Sequence, residues 1–225
     1  MKIVVLGANG RTGRQLLRFA LKSGASVTAL VRSVDRLTDM HHERLRVRVG
    51  SACDATTIRA TIEGHDVVIS ALGPRWPTQA ATSVYPESGA AIVEAMERSG
   101  VDRLLVTSSA LLFPDDSFFV RSLRWLVPNV VDGARRMEEQ IQASNLNWTI
   151  VRTSFLTDGS STDYRLGRGT LPEGGGAVSR AAVASFLLAE AERAAFAREI
   201  VGLCGRKDVA GVSVGDAQTR WGRES

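Results

Sequence analysis

Ile3-Val4-Val5-Leu6-Gly7-Ala8-Asn9-Gly10-Arg11-Thr12-Gly13 is the stretch on which the reading of this 225-residue chain turns. Its four apolar residues form a continuous β-branched and aliphatic run, as in a strand buried on both faces. Three evenly spaced glycines follow. Beyond them Leu16, Leu17, Ala20 and Leu21 share one face of a helix. A strand, a glycine loop and a helix in that order suit a pyrophosphate. One glycine allows the tight turn, one lets backbone approach the ligand, and one lets the helix pack on the sheet. The helix N-terminus adds free N–H groups and partial positive charge. Gly7, Gly10 and Gly13, with Asn9, Arg11 and Thr12 between them, are therefore the candidate phosphate cradle. The plainer alternative is a corner whose glycines serve turning alone.

Outward from this corner, short apolar runs recur at residues 27–31, 47–49, 67–69, 104–107, 149–151 and 200–203, with helical patterns between most of them. Ala91, Ile92, Ala95 and Met96 share a face, as do Met137, Ile141 and Leu146. Ser23-Gly24, Ser99-Gly100 and Ser144-Asn145 stand where helices should stop, because Gly and Asn accept the left-handed conformation. Strand–helix alternation with tight returns predicts an α/β fold, Rossmann-type and doubly wound: a mainly parallel sheet with helices on both faces. One domain over residues 1–205 and a polar tail over 206–225 are expected. Residues 74–86 and 157–177 fit neither period and read as loops, which in compact domains are often functional.

Composition narrows the function classes. Apolar residues make up 44% and charged residues 23%, an ordinary globular profile. The net charge of +4 is scattered, without the dense Lys/Arg block of a nucleic-acid surface, so no nucleic acid is expected as a partner. Cys53 and Cys204 give neither a disulfide framework nor a metal spacing. The run 2–6 is too short for a signal-peptide core or a membrane span, which makes the cytoplasm the default compartment, with no membrane partner.

The choice of nucleotide rests on the end of the second strand. Sites that prefer NAD carry an acidic residue there, about 20 positions beyond the glycines, to hold the ribose 2′-hydroxyl. Arg32 takes that place, with Ser33 beside it and Arg36 a turn later. A guanidinium fits a 2′-phosphate in bidentate fashion, whereas a carboxylate would repel it, so NADP(H) is expected ahead of NAD(H). Arg11 is a second candidate for the 2′-phosphate. Asp35 stands within a small loop shift of the ribose, and a solvated loop is the bland reading of both arginines. Ala71, Leu72 and Gly73, after Ser70 at the fourth strand's end, should border the nicotinamide-side ribose; a simple strand end is the even alternative.

The spacing Gly-x-x-Gly-x-x-Gly, together with Val31-Arg32-Ser33, residues 66–73, Thr107-Ser108-Ser109-Ala110 and residues 148–152, resembles the atypical short-chain dehydrogenases/reductases. The resemblance is to their NAD(P)H-binding group, which includes biliverdin reductase B, a flavin reductase, and NmrA-like proteins; it spans about residues 1–205. It implies an active-site serine at Ser109, flanked by Thr107 and Ser108 at the cofactor, where a hydroxyl polarises a substrate for hydride; a Ser/Thr strand end making local backbone bonds is the alternative. Relatives commonly carry Gly-Asp for adenine where this chain has Gly50-Ser51, which leaves Asp54 as the substitute. The backbone of Thr153 and Phe155, after Arg152, is implied near the carboxamide. The usual Tyr-x-x-x-Lys pair falls on Val130 and Ala134, which cannot do its work. No nucleophile elbow surrounds Ser109. Tyr85 and Tyr164, the only tyrosines, lie in or beside the expected loops, and Glu138 and Glu139 read as a solvated helix face.

Two functions remain. One is an NADPH-dependent reductase of a small-molecule planar acceptor (flavin, quinone or tetrapyrrole-like), with Ser109 orienting it and Phe113, Phe118, Phe119 and Trp125 roofing it or packing as core. The other is an NmrA-like NADP(H) sensor without turnover, favoured by the missing Tyr and Lys. A monomer or weak homodimer is expected.

Overall fold

The alternation of side chains along one interior strand organises the molecule. The computed structural model describes residues 1–74, 77–115 and 117–206. In β1 (Lys2–Leu6), Ile3 and Val5 enter an apolar cluster on one side of the sheet, while Val4 and Leu6 enter a second cluster on the other. All four are fully buried, each worth about 1.5–3 kcal/mol relative to exposure.

Around it the chain runs α1 (Arg11–Lys22), β2 (Ser26–Val31), β3 (Leu45–Val49), α2 (Ala55–Ile62), β4 (Val67–Ser70), α3 (Gln79–Thr82), α4 (Val84–Glu97) and β5 (Arg103–Ser109). A 3-10 turn at Ala110–Leu112 leads to α5 (Phe118–Leu126), α6 (Pro128–Ala143) and β6 (Asn147–Thr153). Then come β7 (Leu156–Thr157), β8 (Arg165–Arg168), β9 (Val178–Ser179), α7 (Arg180–Arg193) and β10 (Glu199–Cys204). Eight strands form one sheet in the order β3-β2-β1-β4-β5-β6-β10-β8, parallel throughout except that β8 runs antiparallel to β10. A separate parallel pair joins β7 to β9. Helices α1 and α7 pack together over one face, and α2, α4 and α6 cover the other, which is the doubly wound α/β arrangement expected.

Both stretches read as loops carry regular structure. Thr78 caps α3, and Pro86 lies in the first turn of α4, where its missing N–H is not needed, so it starts a helix rather than breaking one. Residues 165–168 form an edge strand that alternation could not reveal, because only Leu166 among them is a large apolar residue. Gly24 and Gly100 are left-handed at helix ends as expected, with φ of 87° and 73°. Asn145 is not, because α6 ends on an extended Ser144 whose hydroxyl donates to Ile141 O at 2.6 Å. Of the expected tail, residues 207–225 lie outside the described residues.

Candidate functional site: the crevice between the first and fourth strands

The strand order reverses between β1 and β4, and a ligand crevice opens beyond the carboxyl ends of strands at such a point. Gly7 makes the turn there with φ of 81°, and a Cβ on it would lie 2.9 Å from Ala71 O. A Cβ on Gly13 would stand 2.3 Å from Gly7 O, so α1 can start this close to the turn only with glycine in its first turn. Gly10 caps α1 without a side-chain bond, and no acidic residue occupies the first turn. The leading N–H groups of a 12-residue helix thus lack side-chain acceptors, a setting that fits phosphate oxygens. Asn9 fixes the loop by donating from Nδ2 to Ser33 O at 2.7 Å, while its buried Oδ1 has no partner among the described residues. Thr12 is half-buried in the same turn.

At the end of β2, Arg32 is exposed and makes no hydrogen bond or ion pair among the described residues. Ser33 donates its hydroxyl to Asp35 at 2.5 Å, which holds that carboxylate within its own turn. Arg36 is also exposed, and its carbonyl accepts from Arg14. Arg14 in turn pairs with Asp39 and, chiefly through that hydrogen bond, holds its carboxyl below the usual range. Arg11 is engaged: its Nη1 lies 2.7 Å from Asp158 Oδ2, and Arg180 lies 2.7 Å from the other oxygen of the same carboxylate. Burial, and then the neighbouring Arg11, push the Arg180 guanidinium down, while Asp158 opposes them. Asp54 caps α2 through Thr56 N at 3.1 Å and Thr57 N at 3.3 Å. The Thr57 hydroxyl, followed by those backbone bonds, lowers its carboxyl.

At the opposite end, Ala71 N donates to Leu6 O at 3.0 Å, carrying Ala71, Leu72 and Gly73 across the crevice. Thr107 Oγ1 donates to Ser70 O at 3.4 Å. Ser109 closes β5 in register with Thr153 of β6; its Oγ accepts from Leu111 N at 3.3 Å, and its O–H donates to none of the described residues. Ser108 points elsewhere. It donates to Glu138 Oε1 at 2.5 Å, so any contact it makes in the crevice must come from its backbone. The reading of Glu138 as solvated is corrected here. It is 2% exposed and takes Arg152 Nη2 at 2.7 Å, whereas Glu139 is exposed. Residues 138 and 139 are adjacent, and about 100° of helix rotation separates them. Arg152 also donates to Leu112 O at 3.1 Å and lies 4.7 Å over the Phe113 ring.

Thr153 Oγ1 donates to Ser108 O at 3.3 Å, and the Phe155 ring sits 6.5 Å from that of Phe119. Of the aromatic stretch only Phe113 is core; Phe118 is 88% and Trp125 83% exposed. The Tyr-x-x-x-Lys face of α6 carries half-buried Val130, fully buried Ala134 and then Glu138. Sequence pattern singled out neither Asp158 nor Arg180, and gave no role to Tyr85, which is buried beside Gly73. Tyr164, by contrast, packs edge-on against Phe186 at 5.6 Å, on the far cluster.

Residues 7–194 match the family described as NAD(P)H-binding. A short-chain dehydrogenase/reductase from Veillonella parvula, solved in complex with NADP, superposes with a TM-score of 0.74 at 26% identity over 91% of this chain and 94% of that one. The photosystem II assembly factor Ycf39 of Synechocystis is 24% identical over 74% of this chain. The NAD(P)H azoreductase of Xenophilus azovorans is 25% identical over 68% of it. The chain spans about half, 48%, of the length of each of those two relatives.

Proposed function

The chain belongs to the NAD(P)H-binding family, and from that premise we propose that it is an NADPH-dependent reductase of a planar electron acceptor such as a flavin, a quinone or a tetrapyrrole-like molecule. The observation that carries the reading is Ser109, whose hydroxyl stands at the end of β5 with its hydrogen unused among the described residues. It orients and polarises an acceptor heteroatom there. The nicotinamide supplies the hydride when bound. The protein's part is to hold and shield. Gly7, Gly10, Gly13 and the N-terminus of α1, with Asn9 and Thr12, cradle the phosphates; Arg32 and Arg36 face the 2′-phosphate and select NADPH over NADH. Arg11 serves the same end from within the loop. Asp54 lies toward adenine. Ala71, Leu72 and Gly73 border the ribose, and the backbone of Thr107, Ser108, Thr153 and Phe155 lines the nicotinamide end. Phe119 and Phe155, exposed and 6.5 Å apart, offer aromatic surface to a flat molecule. The similarity to an NAD(P)H azoreductase, named for another electron acceptor, supports this class. Among the described residues no helix is long and apolar enough to cross a membrane, and the proposed setting is the cytoplasm, as a monomer or weak homodimer.

Val130 and Ala134 favour a second reading, an NADP(H) sensor without turnover. Titration of NADPH and NADH by fluorescence, followed by loss of reduced-nicotinamide absorbance with flavins, quinones and tetrapyrroles, separates the two. Turnover that falls on Ser109→Ala supports the reductase. Tight binding with no turnover on any acceptor selects the sensor.

A further inference from the structure

The tyrosine and lysine that α6 lacks leave open which group, beside Ser109, meets the negative charge that hydride places on an acceptor. The fold brings a phenol to that end of the crevice from another element. Tyr85, the second residue of α4, points its hydroxyl to within 3.6 Å of where a Cβ on Gly73 would stand, at the end of β4. Space for the ring comes from α6 itself. A Cβ on Gly133 would lie 3.0 Å from Thr82 O, a tight approach that glycine spares, and 3.5 Å from the Tyr85 ring, so the helix packs directly over the phenol. Gly133 directly precedes Ala134, where the family's lysine would stand.

Tyr85 is 8% exposed, and its hydroxyl has no hydrogen-bond partner among the described residues. Burial, and then the charge of Glu138, push its pKa up to about 12, so at neutral pH it is a donor that keeps its proton.

We infer that the Tyr85 hydroxyl donates a hydrogen bond to the heteroatom of the electron acceptor, as a second donor beside Ser109. This narrows the substrate class to planar acceptors in which the hydride-receiving atom adjoins an oxygen or nitrogen: a quinone carbonyl, an imine or an azo group. Hydride and its electron pair add to that atom, and charge develops on the neighbouring heteroatom. The two hydroxyls stabilise the anion, and water delivers the proton that completes the reduction. The inference rests on the reductase reading.

The test uses the full chain and its Tyr85→Phe variant, with a soluble naphthoquinone and a sulfonated azo dye as probes. NADPH affinity and the thermal midpoint should hold, since phenylalanine fills the same space. In the NADP+-loaded protein, dye affinity should fall by roughly 3–10-fold, as for one lost hydrogen bond. The kcat for both probes should fall by about 10–100-fold, because the bond strengthens as charge develops. Unchanged dye affinity together with unchanged kcat overturns the inference. If the wild type binds dye yet never turns over, the reductase reading fails, and the dye affinity of the variant alone decides whether Tyr85 is the donor. A lower NADPH affinity with normal dye affinity would place the hydroxyl on the cofactor instead and overturn it as well.

Discussion

Replacing Glu138 by glutamine removes one charge and almost no volume from the junction of β5, β6 and α6. The carboxylate is 2% exposed, its partner Arg152 is 14% exposed, and the two meet at 2.7 Å. Breaking a buried pair by neutralising one member costs about 3–5 kcal/mol, because the other charge is left desolvated. Two features place this case at the lower end. Arg152 keeps its bond to Leu112 O and its seat over Phe113, and a glutamine oxygen still accepts from Ser108. The expected loss is therefore about 3 kcal/mol. In a chain of this size that lowers the thermal midpoint by roughly 6–12 °C. Urea unfolding of the wild type, Glu138→Gln and the double variant Glu138→Leu/Arg152→Leu measures it. The double variant should retain much of what the single one loses, since neither charge is then stranded. A single-variant loss under about 1 kcal/mol would refute the argument, for it would mean that solvent reaches the pair and screens it.

Gly13→Ala forces a Cβ against Gly7 O, so stability should fall by about 1–3 kcal/mol and NADPH affinity by at least roughly tenfold; calorimetry reads both, and unchanged binding would remove the loop from the phosphate site. Arg32→Glu should weaken NADPH by about 10–100-fold while leaving NADH within about threefold, as expected for a charged hydrogen bond turned repulsive; equal effects on both nucleotides would refute its 2′-phosphate role. Asp158→Ala frees Arg11 and Arg180 beside the loop and should tighten NADPH by roughly threefold at low salt, a gain that fades at high salt; weaker binding would show that the carboxylate organises the two guanidiniums. The lowered carboxyl of Asp54 contributes stability that is complete above its unfolded value, near 3.9, and is lost as pH falls through the lower folded value. Thermal midpoints of Asp54→Asn should accordingly vary less than those of the wild type between about pH 6 and 2.

The parts of this molecule readable from sequence are those fixed by neighbours along the chain. The strand, loop and first helix are encoded within residues 2–22, and the burial of both faces of β1 follows from four consecutive apolar residues. Glu138 could not be read that way. Its partners Ser108 and Arg152 lie 30 and 14 positions distant, and nothing local separates it from exposed Glu139. Tyr85 was hidden because Pro86 and the lack of periodicity argued for a loop, and its ring packs against Gly133 of another helix, 48 positions on. Arg11 looked free in sequence. Asp158, 147 positions away, holds it in the fold.

The Glu138–Arg152 pair also bears on which chemistries lie within mutational reach of this scaffold. Installing tyrosine at Val130 and lysine at Ala134 would restore the letters of the usual catalytic pair, yet Ala134 has no exposure at all and its neighbourhood is filled. A lysine there would look one helical turn along for a counter-ion and find Glu138 already held by Ser108 and Arg152. Arg152 would have to be surrendered first, and that intermediate carries a buried, unpaired carboxylate. The two-residue route to the usual tyrosine–lysine pair is thus barred by a third residue, and a laboratory evolution starting here would have to re-house the Glu138 carboxylate before it could install that pair.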